Sequence, residues 1–310
     1  MSTFKNITLE KGMYEAGNFG DVLERMDPSE QYCGTALDGL DAFSRQLKRY
    51  DIEISGSRSD TVEKFFMTSN SAVLFPEYVR RCVQTGIDEN NAVQDLVANT
   101  IDIDGFAYRS VYATQYEEVP SLLGISSYDN LIPIQKHGRR LSASYESLRF
   151  QRISTLTSIL QQIGCYITRC QYYAALELFS SSHHIGSRCA DDILSSFSVR
   201  LGSAGGYRLT TLICTPSEFE SLKKDANITI EFHDGFYCGD IKIINHMNQL
   251  DSRIVGIDNR YALEMIKCGP IHMDYEKLID KRFENVEICQ HSGFSILCPD
   301  AIATVELAHL

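Results

Sequence analysis

Between Lys136 and Phe179 the chain reads KHGRRLSASYESLRFQRISTLTSILQQIGCYITRCQYYAALELF, and its apolar spacing restricts the possible folds more than any other feature. Ile153, Leu156, Leu160, Ile163, Ile167, Cys170 and Ala174 recur at steps of three and four, which sets them on one face of a helix. From Leu148 to Phe179 there is no proline and one glycine, so the pattern predicts a helix of about 30 residues and about 45 Å. Ser142 or Ser144 is placed to cap its start. Such a rod exceeds the radius of an average domain and is expected to be a spine to which other parts attach.

A chain of 310 residues can bury a substantial core and is expected to divide into two lobes. Hydrophobic content of 44% and charged content of 23% are ordinary for a globular protein. No apolar run approaches the length of a bilayer span, and MSTFKNITLEKGM lacks the apolar core of a signal peptide, so the sequence predicts no membrane association and retention in the cytoplasm. The ten cysteines fall mostly among apolar residues, so reduced thiols are expected, with Cys214, Cys238 and Cys268 as small buried side chains.

A net charge of -12 argues against a conventional nucleic-acid-binding surface. The distribution says more. Between Thr85 and Asn130 stand eight acidic residues and one basic, Arg109; between Gln135 and Cys170 stand six basic residues and one acidic, Glu146. In most proteins such blocks are two solvated faces of one monomer.

Along the chain, the first 40 or so residues show little periodicity and read as an extended arm. Leu37 to Ile52 predicts a short helix with Leu40, Phe43 and Leu47 on one side; SGSRSD (55–60) reads as a joint. SAVLFPEYVRRCVQTGI predicts another helix, with Pro76 in its first turn and Gly86 ending it. Val97 to Thr114 and Ser127 to Ser142 read as strands of a long hairpin-like excursion, with polar VPSLLGISS between them. SSSHHIGS (180–187) reads as a loop. A compact α/β lobe follows, with a helix near 191–199, strand LTTLICT, a helix capped at Thr215 or Ser217, and strand IKIINHM; Gly205-Gly206 marks a turn. IVGID, MIKCG and VEICQHSGFSILC supply later strands expected to return to the first lobe.

Candidate chemistry is sparse. His183 and His184 precede Cys189 by six and five residues, but no CxxC or HxxxH spacing completes a ligand set, and a polar loop is the preferred reading. Cys165 and Cys170 are wrongly spaced for a shared metal or a redox pair. DIDG (102–105) matches the start of a calcium loop whose closing glutamate is replaced by Ala113. No phosphate loop, nucleophile elbow or dinucleotide fingerprint occurs. A cysteine nucleophile with a distant histidine carries little weight among ten Cys and eight His. No cofactor or metal is expected. Gly138 is assigned a bend at the base of the excursion, and Gly293 a bulge in a terminal strand.

A strand ending in Gly138-Arg139, then ASYE (143–146), LR and a long helix running through Ile163-Gly164 into AAL resembles the tailed-bacteriophage major capsid proteins of the Hong Kong 97 fold. SNSAVLFPEYVRRCV (69–83), LTTLICTPSEFESLK (209–223), SRIVGIDNRYALEMI (252–266) and VEICQHSGFSILCPDAIATV (286–305) agree with that family in order, so the resemblance covers roughly 41–305. It implies an α+β fold with an N-terminal arm (1–68), the start of a peripheral domain (69–96) and an extended loop (97–142). A spine helix (143–187), an axial α/β domain (188–265) and closing strands of the peripheral domain (266–310) follow. The implied function is that of a shell subunit, not an enzyme. It would assemble with itself into hexamers and pentamers of an icosahedral virion around double-stranded DNA in the bacterial cytoplasm, with portal and scaffold proteins as further partners. In that setting the acidic excursion (Asp102, Asp104, Glu117, Glu118) is expected to dock against the basic region (Lys136, Arg139, Arg140, Arg149, Arg152) of a neighbour, opposite charge setting register. Alternatives are an encapsulin-like nanocompartment, a Cys/His-dependent enzyme and a non-assembling interaction protein.

Overall fold

A computed structural model describes residues 4–5, 7–9, 19–53, 60–103, 108–115, 123–179, 183–188, 193–224, 229–232, 235–245 and 253–307. The chain forms two compact units: residues 1–90, 136–168 and 269–290 make the first, and residues 91–135, 169–268 and 291–310 the second.

The first unit is built on two helices, α4 (Ser71–Glu89) and the long α6 (Ile153–Phe179) up to Thr168. Ile153, Leu156, Leu160, Ile163 and Ile167 of the expected stripe are all buried, against Val79, Val83 and Ile87 of α4. The helices approach at two glycines. A Cβ on Gly86 would lie 2.1 Å from the Gln161 carbonyl oxygen, and one on Gly164 would lie 2.2 Å from the Val83 carbonyl oxygen. Gly86 therefore does not end α4 but lets α6 pack onto it, and Pro76 lies in the second turn rather than the first.

The rod is also shorter than its pattern predicts. α5 (Tyr145–Arg149) is a separate turn, capped by Ser144, whose side chain accepts from the Ser147 N–H. Residues 150–152 then leave helical geometry to bond with 60–62: Val62 N–H donates to Gln151 O, Ile153 N–H to Asp60 O, and Thr61 bridges Arg152. Tertiary backbone bonds outweigh local propensity there.

The expected arm is folded over much of its length. α1 (Phe19–Met26), α2 (Ala42–Arg49) and the short α3 (Glu63–Phe66) place Phe19, Leu23, Phe43, Leu47 and Phe65 in the same core. Arg45, 1% exposed, donates from Nε to Asp27 at 3.0 Å, reaches the Leu40 and Asp27 carbonyls, and lies over the Tyr32 ring. A buried cation with this many partners fixes the 19–49 region as a single folded piece. Farther out, Asn70 donates to Ile7 O at 2.9 Å, holding the buried Ile7 and Leu9 against this core.

The unit is completed by β4 (Gln135–Ser144), β12 (His272–Leu278) and β13 (Phe283–Ile296), whose residues 283–289 pair antiparallel with β12 while β4 also pairs with β13.

The second unit contains a seven-stranded sheet in the order β5-β14-β10-β6-β9-β8-β7: β5 (His183–Arg188), β6 (Thr211–Cys214), β7 (Glu231–Phe232), β8 (Phe236–Cys238), β9 (Ile241–Asn245), β10 (Arg253–Ile257) and β14 (Ile302–Leu307). Its central strands are apolar on both faces. Leu212, Ile254 and Ala303 pack with Phe197 and Leu201 of α7 (Ile193–Gly205) and with Phe219 and Leu222 of α8 (Pro216–Lys224). Ile213, Val255 and Ile302 pack with Tyr172, Ala175, Leu176 and Phe179 of α6. This is a sheet between two helical layers, which is why its strands read as continuous apolar runs.

α7 ends at Gly206 in a left-handed conformation (φ 75°), with Tyr207 N–H donating to Leu201 O, and α8 begins with a reciprocal cap between Thr215 and Glu218. Also in this unit, β1 (Val97–Asp102) runs parallel to β11 (Leu263–Lys267), which pairs antiparallel with residues 292–296 of β13, and β2 (Tyr108–Gln115) and β3 (Leu123–Ile132) form a two-stranded ribbon.

Several expectations are corrected. Past Thr168 the buried face of α6 moves from Cys170 and Ala174, both half-buried, to Tyr172, Ala175, Leu176 and Phe179. Residues 183–188 form a strand, not a loop, and 123–127 belong to β3 rather than a polar connection. IVGID joins the second unit's sheet as β10 instead of returning to the first unit. Gly293 sits in unbroken register opposite Ile266, so it makes no bulge; a Cβ there would lie 2.8 Å from Pro133 O.

Candidate functional site

Strand β4 carries the basic residues singled out in the sequence, and its placement depends on Gly138. A Cβ at that position would meet the Ile288 carbonyl oxygen at 2.3 Å and the Cys289 Cβ at 2.5 Å. The glycine serves close approach of β4 to β13 rather than a bend.

With the strands this close, side chains from three strands mesh. Ser142 Oγ donates to Asn285 Oδ1 at 2.7 Å, and Asn285 Nδ2 to Glu276 at 3.2 Å. Arg140 pairs with the same Glu276 at 3.0 Å. Lys136 pairs with Glu287, which raises the Lys136 pKa chiefly through that hydrogen bond. Asp274 stands directly opposite Glu287 across the β12–β13 pair. Like charges so placed repel, and Lys136 offsets this. Arg139 lies over the Tyr166 ring of α6, 3.8 Å from its centroid.

The remaining basic candidates sit around α5. Arg149 lies over the Phe66 ring at 5.3 Å, whereas the Arg152 side chain is exposed and pairs with no carboxylate among the described residues. α5 is tied to the β12–β13 hairpin by the Tyr145 N–H, which donates to Arg282 O at 3.0 Å. Under it, Tyr275 donates to the buried Glu284; burial and that hydrogen bond push the Tyr275 hydroxyl well up. Lys277 stands 3.5 Å from Glu284 Oε1 and 5.0 Å over the Tyr145 ring.

The five basic candidates thus lie in the first unit, and four of them are already engaged, Lys136 and Arg140 by carboxylates of β13 and β12 and Arg139 and Arg149 by aromatic rings of α6 and α3. Of the acidic candidates, Asp102 is exposed at the end of β1 in the second unit, while Asp104, Glu117 and Glu118 lie outside the described residues. The hairpin tip at Ile279 to Phe283 was not anticipated; the three consecutive charged residues Asp280, Lys281 and Arg282 between Ile279 and Phe283 are the sequence signal for it.

No group of three or more His, Cys, Asp or Glu side chains among the described residues is placed to hold a metal ion. The Cys82 thiol is pushed up to about 11 by burial, and Cys214 to about 12, by burial and then by Glu218. Both are protonated packing groups. No described helix is long and apolar enough to cross a membrane.

Neither a family model nor a curated protein sequence matches the chain. Solved structures do. A virus-like particle subunit from Pyrococcus furiosus superposes with a TM-score of 0.58 at 14% identity, over 74% of this chain and 98% of that one. The capsid subunit of an empty GTA particle gives 0.53 at 12% identity, over 71% and 90%. The capsid subunit of cyanophage P-SCSP1u gives 0.52 at 11% identity, over 71% and 89%. The chain therefore has the capsid fold that the four ordered sequence segments resemble, an α+β shell-subunit fold of the Hong Kong 97 type.

Proposed function

We propose that the chain is the major capsid protein of a tailed phage or prophage, assembling with itself into hexamers and pentamers of an icosahedral shell around double-stranded DNA. The observation that carries this reading is the match to nearly the whole length of shell subunits, 98% and 90% of the two compared first. A likeness over most of the length of shell subunits supports a structural rather than an enzymatic role. Scaffold and portal proteins are the further partners expected, and assembly would occur in the host cytoplasm with the virion as final location.

The lobes fit this role. Residues 97–142 would be the loop reaching over a neighbour, 143–187 the spine, and 188–265 the axial domain at the symmetry axes. The second compact unit comprises 91–135, 169–268 and 291–310, and so includes most of the loop range and part of the closing-strand range along with the axial range. Heterologous contacts closing by rotation give rings, and each weak contact gains from the many others a closed shell holds in place. An acidic shell does not grip its contents. Repulsion of DNA from a chain of net charge -12 favours release.

Electron microscopy of the purified protein tests the reading. Closed shells are expected; solitary particles at every salt and protein concentration would overturn it. A second reading is an encapsulin-like compartment enclosing protein. Shells isolated from the native source distinguish the two, through packaged nuclease-resistant DNA or a co-purifying protein cargo. The pairing of Asp102, Asp104, Glu117 and Glu118 with the basic strand is tested separately: charge reversal at Arg139 and Arg140 should slow assembly, more so at low salt.

A further inference from the structure

Residues 4–5 and 7–9 join no helix or strand, yet side chains from elsewhere in the first unit bond their main chain. Asn70 Nδ2 donates to Ile7 O at 2.9 Å, and Asn70 Oδ1 accepts from Leu9 N–H at 3.4 Å. From α2, Gln46 Nε2 at 3.4 Å and Arg49 Nη1 at 3.3 Å both donate to Lys5 O. Lys5 Nζ in turn donates to Met26 O at the end of α1, where a cation suits the helix dipole. Asn70 and Gln46 are 2% and 0% exposed. The bonded positions 5, 7 and 9 lie two apart, the repeat of an extended chain, with Ile7 and Leu9 buried and Thr8 exposed.

Asn70 is also the N-cap of α4, and its carbonyl accepts from the Val73 and Leu74 N–H groups. An asparagine at an N-cap ordinarily turns its side chain to its own helix as well. Here the side chain makes no cap bond; both ends of the amide go to main chain 61 and 63 residues earlier. A carboxamide that donates to one carbonyl and accepts from the N–H two residues on offers what a neighbouring strand would offer. Such bonds go to atoms that every residue carries, so they select an extended conformation and its register. Residue identity enters only through the two buried apolar positions. The segment adds just Ile7 and Leu9 to the core cluster, and stretches with few buried apolar groups open before the rest of a domain.

We propose that Gln46, Arg49 and Asn70 line a groove for an extended main chain, and that residues 4–5 and 7–9 are a strap that seats in it and leaves it as one piece while the core stays folded. Asn70 is the clasp. The strap is the groove's occupant because its tether keeps it at high effective concentration, and the register is fixed by apolar side chains two places apart. This device stands whether or not the chain builds a shell.

The test is hydrogen exchange of the full-length protein, read by mass spectrometry, for wild type, Asn70→Asp and Ile7→Asp/Leu9→Asp, with thermal unfolding of each as a folding control. Asn70→Asp keeps an acceptor able to cap α4 but has no donor for Ile7 O, so it removes the clasp and not the cap. Strap amides are expected to exchange about tenfold faster or more in both variants, while those of α6 at 153–167 keep their wild-type rates. A fluorescent synthetic peptide of residues 3–10 should bind Ile7→Asp/Leu9→Asp, whose own strap cannot seat, about tenfold more tightly than it binds wild type. A peptide of the same composition with its Ile and Leu each moved one place should not bind, because the shift turns both to the wrong side. Equal strap exchange in Asn70→Asp and wild type would overturn the clasp, and loss of α6 protection together with the strap would overturn independent seating. Absence of peptide binding to a folded Ile7→Asp/Leu9→Asp protein would overturn the groove. If that variant fails to fold, the exchange of Asn70→Asp decides.

Discussion

Replacing Gly164 by alanine tests how the first unit is held together. In isolation the change favours a helix by about 0.8–1 kcal/mol, because glycine has the larger backbone entropy to lose. In place, the new Cβ would lie 2.2 Å from Val83 O, 2.8 Å from Ile87 N and 2.9 Å from the Gly86 carbonyl carbon, all backbone atoms of α4. Ordinary contact begins near 3.4 Å, so the closest of these falls about 1.2 Å short. No rotamer relieves a clash between a Cβ and backbone; the helices must separate. Val79, Val83 and Ile87 meet Leu160, Ile163 and Ile167 along this seam, and a gap of 0.5–1 Å forfeits a quarter to a half of each dispersion contact. Overpacking of this kind costs about 1–3 kcal/mol or more, exceeding the propensity gain. A net loss of about 1–2 kcal/mol is expected, a fall in Tm of roughly 2–8 °C for a unit of this size. Calorimetry and urea unfolding read it. Gly202→Ala is the control: Gly202 is also helical but has nothing within 4 Å of its would-be Cβ, so that variant should be as stable as wild type or slightly more so. A Gly164→Ala protein no less stable than wild type would refute the close-packed crossing.

Two further outcomes follow from side-chain environments. Asp41 caps α2 by accepting from Ser44 N–H and pairs with Arg81 at 2.6 Å; burial pushes its carboxyl up, but these partners outweigh it and hold it below the ordinary 3.8. A lowered folded pKa means the stabilisation is whole above about pH 4 and is lost as pH falls through the folded value. Asp41→Ala should therefore cost about 1 kcal/mol in urea unfolding at pH 7 and less at pH 3, and an equal loss at both would refute the charged cap. Alkylation followed by mass spectrometry should label exposed Cys33 first and leave Cys82 and Cys214 untouched until unfolding; fast labelling of either buried thiol would contradict their raised pKa values.

The long helix was legible because burial along it is periodic, and five of its seven stripe positions are buried as the spacing requires. Its break at 150–152 was not, since nothing local in RFQRI opposes a helix; the bonds to 60–62 that interrupt it come from about 90 residues away. Gly86 and Gly138 were read as punctuation, which is glycine's usual local meaning, although both are sites where another backbone passes. Residues 19–40 showed little periodicity because part of what holds them is a buried polar cluster around Arg45, and a charged residue in sequence looks the same whether solvated or enclosed.

Charge was the least legible feature, for a reason that bears on assembly. A block of six basic residues suggests attraction to a separate acidic block, yet Lys136 and Arg140 neutralise carboxylates on β12 and β13, strands about 140 residues later. Both pairs are about half exposed, so each contributes roughly 0–1 kcal/mol and can exchange partners at little cost. A neighbour's carboxylate arriving at Arg140 must compete with Glu276, and any gain is the difference between two similar ion pairs. Arg152, exposed and without a carboxylate among the described residues, faces no such competition. Charge reversal at Arg152 should therefore slow subunit association more than reversal at Arg140. Stopped-flow light scattering measures this, and a larger effect at Arg140 would show that its internal pair is broken in the assembled state.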